Sequence, residues 1–219
     1  MTAPHAPWKL LGECVVGIAR RPRGGSRPDG VRAMPGPAVV IAARYQASPV
    51  GPYSELLVAE PARVGLRPGW CITTAVVDCA SARVGGRLNW GFPKELGSLV
   101  WELEGEDREL RWVERGLAVR GRARSAVVPL VVPFRNLQRR ADGPVVIPGR
   151  MRGRAHLGRV EIDIGEHDPL VWLAGRHRGA VVLGAHYVLH PARLPSGLAS
   201  TLRAPLTAPE PAMSGCRVR

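Results

Sequence analysis

Lysine is nearly missing from this chain. Of 31 basic residues, only Lys9 and Lys94 are lysine; every other positive charge is carried by arginine. A guanidinium keeps its proton at any accessible pH, whereas an amine can lose its proton and attack a carbonyl. An isolated internal lysine is therefore either a surface remnant or a nucleophile retained for its chemistry. Other absences narrow the choice of function. The four cysteines (Cys14, Cys71, Cys79 and Cys216) form no CxxC pair, and a chain of 219 residues buries a core without disulfide staples, so reduced thiols are expected. No apolar run approaches the roughly 20 residues of a membrane helix. No basic N-terminal region precedes a long apolar stretch, so a signal peptide is not expected and the location is expected to be cytoplasmic. There is no GxSxG elbow, Walker loop or dinucleotide fingerprint.

Net charge is +13, yet no block of like charge reaches five residues and the aromatics do not interleave with a basic patch. A nucleic-acid partner is therefore not expected, and neither is a membrane. The positive field suits a small anionic ligand. Histidines give no metal centre. His186 and His190 are four apart, but in a strand pattern that stops at Pro191. His167, between Glu166 and Asp168, and His177, between Arg176 and Arg178, read as solvated loop residues. Glu161 and Asp163 alternate with Ile162 and Ile164, as on the wet face of a strand.

The rest of the chain reads as β-structure. Leu10–Ala19, Ala38–Arg44, Tyr53–Val64 and Trp70–Cys79 carry strand composition. Ser98–Glu104 and Glu109–Val113 form a hairpin pattern around Gly105-Glu106-Asp107, with Glu102 and Glu104 facing water. Leu117–Arg124, a buried-type run at Ala126–Val132, a short Val145–Ile147, His156–Ile164 and Ala180–Leu189 complete about ten strands. Helical pattern is confined to Ala80–Leu88 and Asn136–Ala141. Arg20–Gly30 is a loop by composition and a candidate lid, and the segment from Pro195 to Arg219 reads as a disordered tail. The expectation is one mainly β, β-rich α+β domain over residues 1–194, antiparallel and closed or nearly closed, with a few short helices.

Lys94 lies in the run Gly86-Arg87-Leu88-Asn89-Trp90-Gly91-Phe92-Pro93-Lys94-Glu95-Leu96. Pro93 biases Phe92 toward extended backbone, and Gly91 permits close backbone approach. Trp90, Phe92 and Leu96 supply an apolar wall, and desolvation by such a wall favours a neutral amine. This run resembles the lysine motif of the acetoacetate decarboxylase family, in which an aromatic-Pro-Lys segment carries the Schiff-base lysine. Ser48-Pro49-Val50-Gly51-Pro52-Tyr53-Ser54-Glu55 is similar to the family's Gly-x-Tyr-x-Glu segment, and Ala180–Leu194 to its last strand with a Pro-Arg ending. The resemblance spans most of residues 8–194.

The resemblance implies an acetoacetate decarboxylase-like β-barrel or sheet and a carboxy-lyase that needs no metal and no cofactor. Lys94 would form the imine with a small anionic keto acid, and Glu55 would orient substrate or shuttle a proton. Arg87 and Arg44 are candidates for the substrate carboxylate, with Tyr53, Tyr187, Trp90 and Phe92 lining the pocket. A homo-oligomer is expected. Two departures stand out. The family's second lysine, directly after the first, is Glu95 here, and Val39-Val40-Ile41-Ala42 lacks the family's upstream glutamate. Glu95 is expected to point away from Lys94, because adjacent side chains of an extended segment face opposite sides. These departures keep two alternatives open: a Schiff-base aldolase or dehydratase acting on a longer keto acid, and a non-catalytic ligand-binding protein.

Overall fold

The computed structural model describes residues 4–20 and 27–195. The strands are β1 (Trp8–Ala19), β2 (Arg32–Ala33), β3 (Ala38–Ala47), β4 (Tyr53–Val64) and β5 (Arg67–Val77). After the helix α1 (Ala80–Trp90) come β6 (Lys94–Leu96), β7 (Leu99–Glu104), β8 (Asp107–Trp112), β9 (Leu117–Arg122), β10 (Val127–Arg140), β11 (Gly143–Asp163) and β12 (Gly175–Leu189). The twelve strands among the described residues belong to one sheet, ordered β10-β5-β4-β3-β1-β12-β11-β9-β8-β7, with β2 on β4, β6 on β5 and β10 also on β11. The ladder from β5 through β11 and β10 therefore returns to β5, where the joining bridge is Asn136–Trp70. That bridge and the β5–β6 pair are parallel; the other pairings are antiparallel. The protein is mainly β, as its composition indicates.

Strand alternation gives two large cores, with a third, smaller cluster around Ala62, Cys71 and Leu137. On β3 and β4, Ala43, Tyr45, Tyr53 and Ala59 face one core, which also receives Trp8, Trp90 and Phe92. Val40, Ala42, Leu56 and Val58 face the other, which is closed by Leu110, Trp112 and Val119 from β8 and β9. Among the described residues, no helix is long and apolar enough to cross a membrane.

Three sequence expectations are corrected. Ala126–Val132 is not buried: Val131 is 66% exposed, and Val127, Val128 and Val132 are also exposed. This half of β10 pairs with β11 on one side, and among the described residues nothing pairs with its other edge before Asn136. Pro129 and Pro133 lack an N–H and are tolerated on such an edge. Asn136–Ala141 is not helical; residues through Arg140 continue β10, pairing with Gly143–Ile147 across a tight turn. Buried Gln138 donates to the Ile72 carbonyl at 2.8 Å, a tertiary contact that overrides local helix propensity. Val145–Ile147 and all of His156–Ile164 but its last residue are parts of one 21-residue strand, β11, whose register shifts between Arg152 and Arg154. The heart of the Arg20–Gly30 loop and the tail from 196 lie outside the described residues.

Candidate active site

The chain enters the site from α1. The helix stops at Gly91, whose φ of 71° is a left-handed cap, with its N–H bonded to the Arg87 carbonyl at 2.9 Å. A side chain at Gly91 would also strike the Arg139 carbonyl, 2.2 Å from the Cβ position. Two residues later the chain turns into β6, which lies parallel to β5 with Lys94 beside Ala75. Both backbone groups of Lys94 are held: its N–H donates to the Phe92 carbonyl at 2.8 Å, and its carbonyl accepts Arg87 Nε at 2.7 Å. The Lys94 side chain then runs across Gly86, where a Cβ would lie 2.5 Å from Lys94 Cδ. Glycine at that helix position opens the channel through which the lysine reaches the interior.

Lys94 Nζ meets Glu55 Oε1 at 2.8 Å, with side chains only 4% and 5% exposed. Glu55 comes from β4, on the face that carries Tyr53. Nζ also lies 5.4 Å from the centroid of the Tyr53 ring, within cation–π range. Tyr45 packs against Tyr53 (4.9 Å between centroids) and against Tyr187 (5.8 Å, edge-on). Tyr187 Oη is 3.2 Å from Cys14 Sγ. Trp90 and Phe92 stack at 5.4 Å, with Trp8 edge-on to Trp90, so the motif's aromatics wall the same core.

Burial dominates the electrostatics of this chamber. It raises all three phenols well above their ordinary value, with the Glu55 charge adding to the effect on each. It also pushes the Cys14 thiol up to about 12, against the opposing hydrogen bond from Tyr187. The phenols and the thiol therefore stay protonated as neutral donors around one buried lysine–carboxylate pair. Such an arrangement can move a proton between Nζ and Glu55 and can donate hydrogen bonds to a ligand's oxygens.

Of the residues singled out from sequence, Lys94, Glu55, Tyr53, Tyr187, Trp90 and Phe92 converge on this chamber. The two arginines are placed elsewhere. Arg44 alternates with Ala43 and Tyr45, on the face of β3 opposite the chamber; it donates to Ser54 Oγ at 3.2 Å and pairs with Asp78 at 3.9 Å. Arg87 is exposed and is bonded to the lysine's backbone carbonyl. Glu95 is exposed, on the side away from Lys94. Glu161 and Asp163 are held by Arg176 and Arg120 rather than by each other. Sequence reasoning missed Tyr45 and Cys14. The signal for Tyr45 was scarcity again: the chain has three tyrosines, and all three meet here. Cys14 carried no signal, because its partner Tyr187 is 173 residues away.

Comparison with known proteins bears on the fold that carries this site. Residues 28–124 match the profile of the acetoacetate decarboxylase (ADC) family, a span that holds both Glu55 and Lys94. No curated protein sequence matches the chain. Among solved structures, an acetoacetate decarboxylase from Legionella pneumophila superposes with a TM-score of 0.65 at 16% identity, covering 90% of each chain. The enduracididine biosynthesis enzyme MppR, complexed with pyruvate, superposes with a TM-score of 0.62 at 20% identity, covering 89% of this chain and 91% of its own. An acetoacetate decarboxylase-like enzyme from Sphingomonas wittichii RW1 gives 0.55 at 15% identity, covering 85% and 91%. The matched profile covers residues 28–124, and the solved structures share the architecture over most of the chain, so the protein has an acetoacetate decarboxylase-like fold.

Proposed function

We propose that the protein is an imine-forming lyase that decarboxylates a small keto acid. The observation that carries this reading is the buried Lys94–Glu55 contact at 2.8 Å. Glu55 takes a proton from Lys94, and the neutral amine attacks the substrate ketone to form a C–N bond. The carbinolamine oxygen takes one proton from the attacking nitrogen and one back from Glu55, leaves as water and gives the protonated imine. The electron pair of the bond to the carboxylate then flows into the iminium. Carbon dioxide leaves and an enamine remains. Protonation at carbon and hydrolysis by water release the ketone and restore Lys94. Activation of a family lysine by desolvation or a neighbouring cation is a known device; here the partner in the chamber is a carboxylate, and the proton has an acceptor within reach.

A second reading is Schiff-base aldol or dehydratase chemistry on a longer keto acid. It is supported by the absence of any carboxylate on β3, which leaves Glu55 without the family's second glutamate, and by the similarity to MppR, a protein solved with pyruvate. The test is borohydride reduction in the presence of acetoacetate or pyruvate, followed by mass analysis of the Lys94 peptide, with carbon dioxide release measured in parallel. An adduct on Lys94 with carbon dioxide supports the decarboxylase. An adduct without carbon dioxide supports the second reading. A folded protein that yields no adduct with either acid overturns both.

A further inference from the structure

Neither arginine expected to hold the substrate carboxylate enters the chamber, so a keto acid bound at Lys94 must find other donors. The first turn of α1 offers them. Its N-cap is Cys79, which makes no side-chain cap bond, and the turn contains no acidic residue. The N–H groups of Ala80, Ser81 and Ala82 precede the first intrahelical bond, which Arg83 makes to the Cys79 carbonyl. Ala80 is exposed while Ala82 is fully buried, so the turn passes from the surface into the chamber's core.

A second, independent observation points to a ligand here. The Tyr53 hydroxyl is buried and has no hydrogen-bond partner among the described residues, which is costly for a donor of that kind. Tyr53 stands beside this helix start. Its neighbour Ser54 exchanges bonds with Asp78, the residue before the N-cap: the Ser54 N–H donates to Asp78 Oδ1 at 2.8 Å, and the Asp78 N–H to the Ser54 carbonyl at 3.4 Å. The antiparallel β4–β5 register, Glu55 opposite Val77, runs on through the Ser54–Asp78 bonds and sets Tyr53 opposite Cys79. Glu55 is paired with Val77, two residues before Cys79, so the lysine's partner adjoins the corner as well. The two carboxylates nearby are already committed, Asp78 to Ser54 and Arg44, and Glu55 to Lys94.

We propose that the amides of the first turn of α1 and the Tyr53 hydroxyl form the carboxylate-binding corner of the chamber, which seats the acid group of a keto acid whose ketone faces Lys94. Backbone donors at a helix start suit an anion, and a fixed carboxylate sets the angle between the reacting bond and the imine plane. The inference rests on the imine reading for the identity of the ligand, but its test does not depend on that chemistry.

The probe is lactate, which has the carboxylate but no ketone and cannot form an imine; its binding is measured by calorimetry on the full chain. Tyr53→Phe is expected to weaken lactate by about tenfold. Cys79→Asp places a tethered carboxylate on the same amides. It is expected to raise Tm by about 2–4 °C while abolishing lactate binding, a pairing that a merely structural defect would not give. Ala80→Pro, tolerated at the first helical position, removes one donor and is expected to weaken lactate without loss of fold. With pyruvate and borohydride, the same variants are expected to need higher pyruvate for half-maximal trapping on Lys94. Failure of the wild type to trap pyruvate while lactate binding stays sensitive to Tyr53 and Cys79 would sink the imine reading and leave the corner standing. No lactate binding to the wild type, or equal binding to all variants, overturns the corner.

Discussion

Lys94 and Glu55 meet at 2.8 Å although their strands are not neighbours. Lys94 lies on β6 and Glu55 on β4, with β5 between them, paired through Ala75 to the lysine and through Val77 to the glutamate. The lysine side chain thus spans a whole strand, over small Ala75, to reach its partner. Each residue is the other's charge compensation in a space largely shielded from solvent.

That dependence gives the first prediction. Glu55→Gln leaves a buried ammonium without its counter-ion, and Lys94→Ala leaves a buried carboxylate; each is expected to cost about 3–5 kcal/mol in chemical denaturation. The double variant Lys94→Met/Glu55→Leu should recover most of that loss. Additive losses in the double variant would show that the two groups are not coupled.

Gly86→Ala should separate helix stability from function. Alanine favours a helix by up to about 1 kcal/mol over glycine. The added methyl lands 2.5 Å from Lys94 Cδ and pushes the amine off Glu55. Imine trapping is expected to slow by about a hundredfold with circular dichroism unchanged. An unaltered trapping rate would place the lysine elsewhere.

Arg87→Ala tests the arginine's place. Arg87 holds the Lys94 backbone and not the chamber, so its loss should lower kcat by about tenfold through misplacement of the amine and leave KM unchanged. A raised KM with unchanged kcat would instead mark it as a substrate anchor.

Glu95 is exposed on the side away from Lys94. Glu95→Lys, which puts a second lysine directly after the first, should change kcat/KM by no more than about twofold, because solvent screens the new charge. A large gain would mean that the two side chains share a pocket.

The Cys14 thiol predicts alkaline instability. Burial lifts it from an ordinary 9.0 to about 12. In the unfolded chain the thiol ionises first, so above pH 9 the unfolded state binds fewer protons and stability falls with rising pH. The stabilisation is complete below pH 9 and is lost as pH climbs toward 12. Cys14→Ala should flatten the fall in Tm between pH 9 and 11; an identical slope in both proteins would exclude the thiol as the cause.

The sequence by itself determined the chemistry on offer. Lys94 stood out because lysine is rare here, and the order of Glu55 and Lys94 marked the two ends of the pair. Tyr53–Val64 was legible as a strand to the residue, because alternation is a local property that survives folding. What sequence could not carry was the partner across the sheet. Nothing near Arg44 says that it faces away from Tyr45's chamber; strand parity and the Ser54–Asp78 contact decide that. The apolar run at Val127–Val132 reads as core, yet it lies along an open edge, because burial depends on which strands remain to cover it. Asn136–Arg140 has helix-forming residues and is a strand, because β11 returns beside it. The lysine was visible in the composition, whereas its carboxylate, its glycine channel and the tyrosines around it became neighbours only when segments up to 173 residues apart closed on one another.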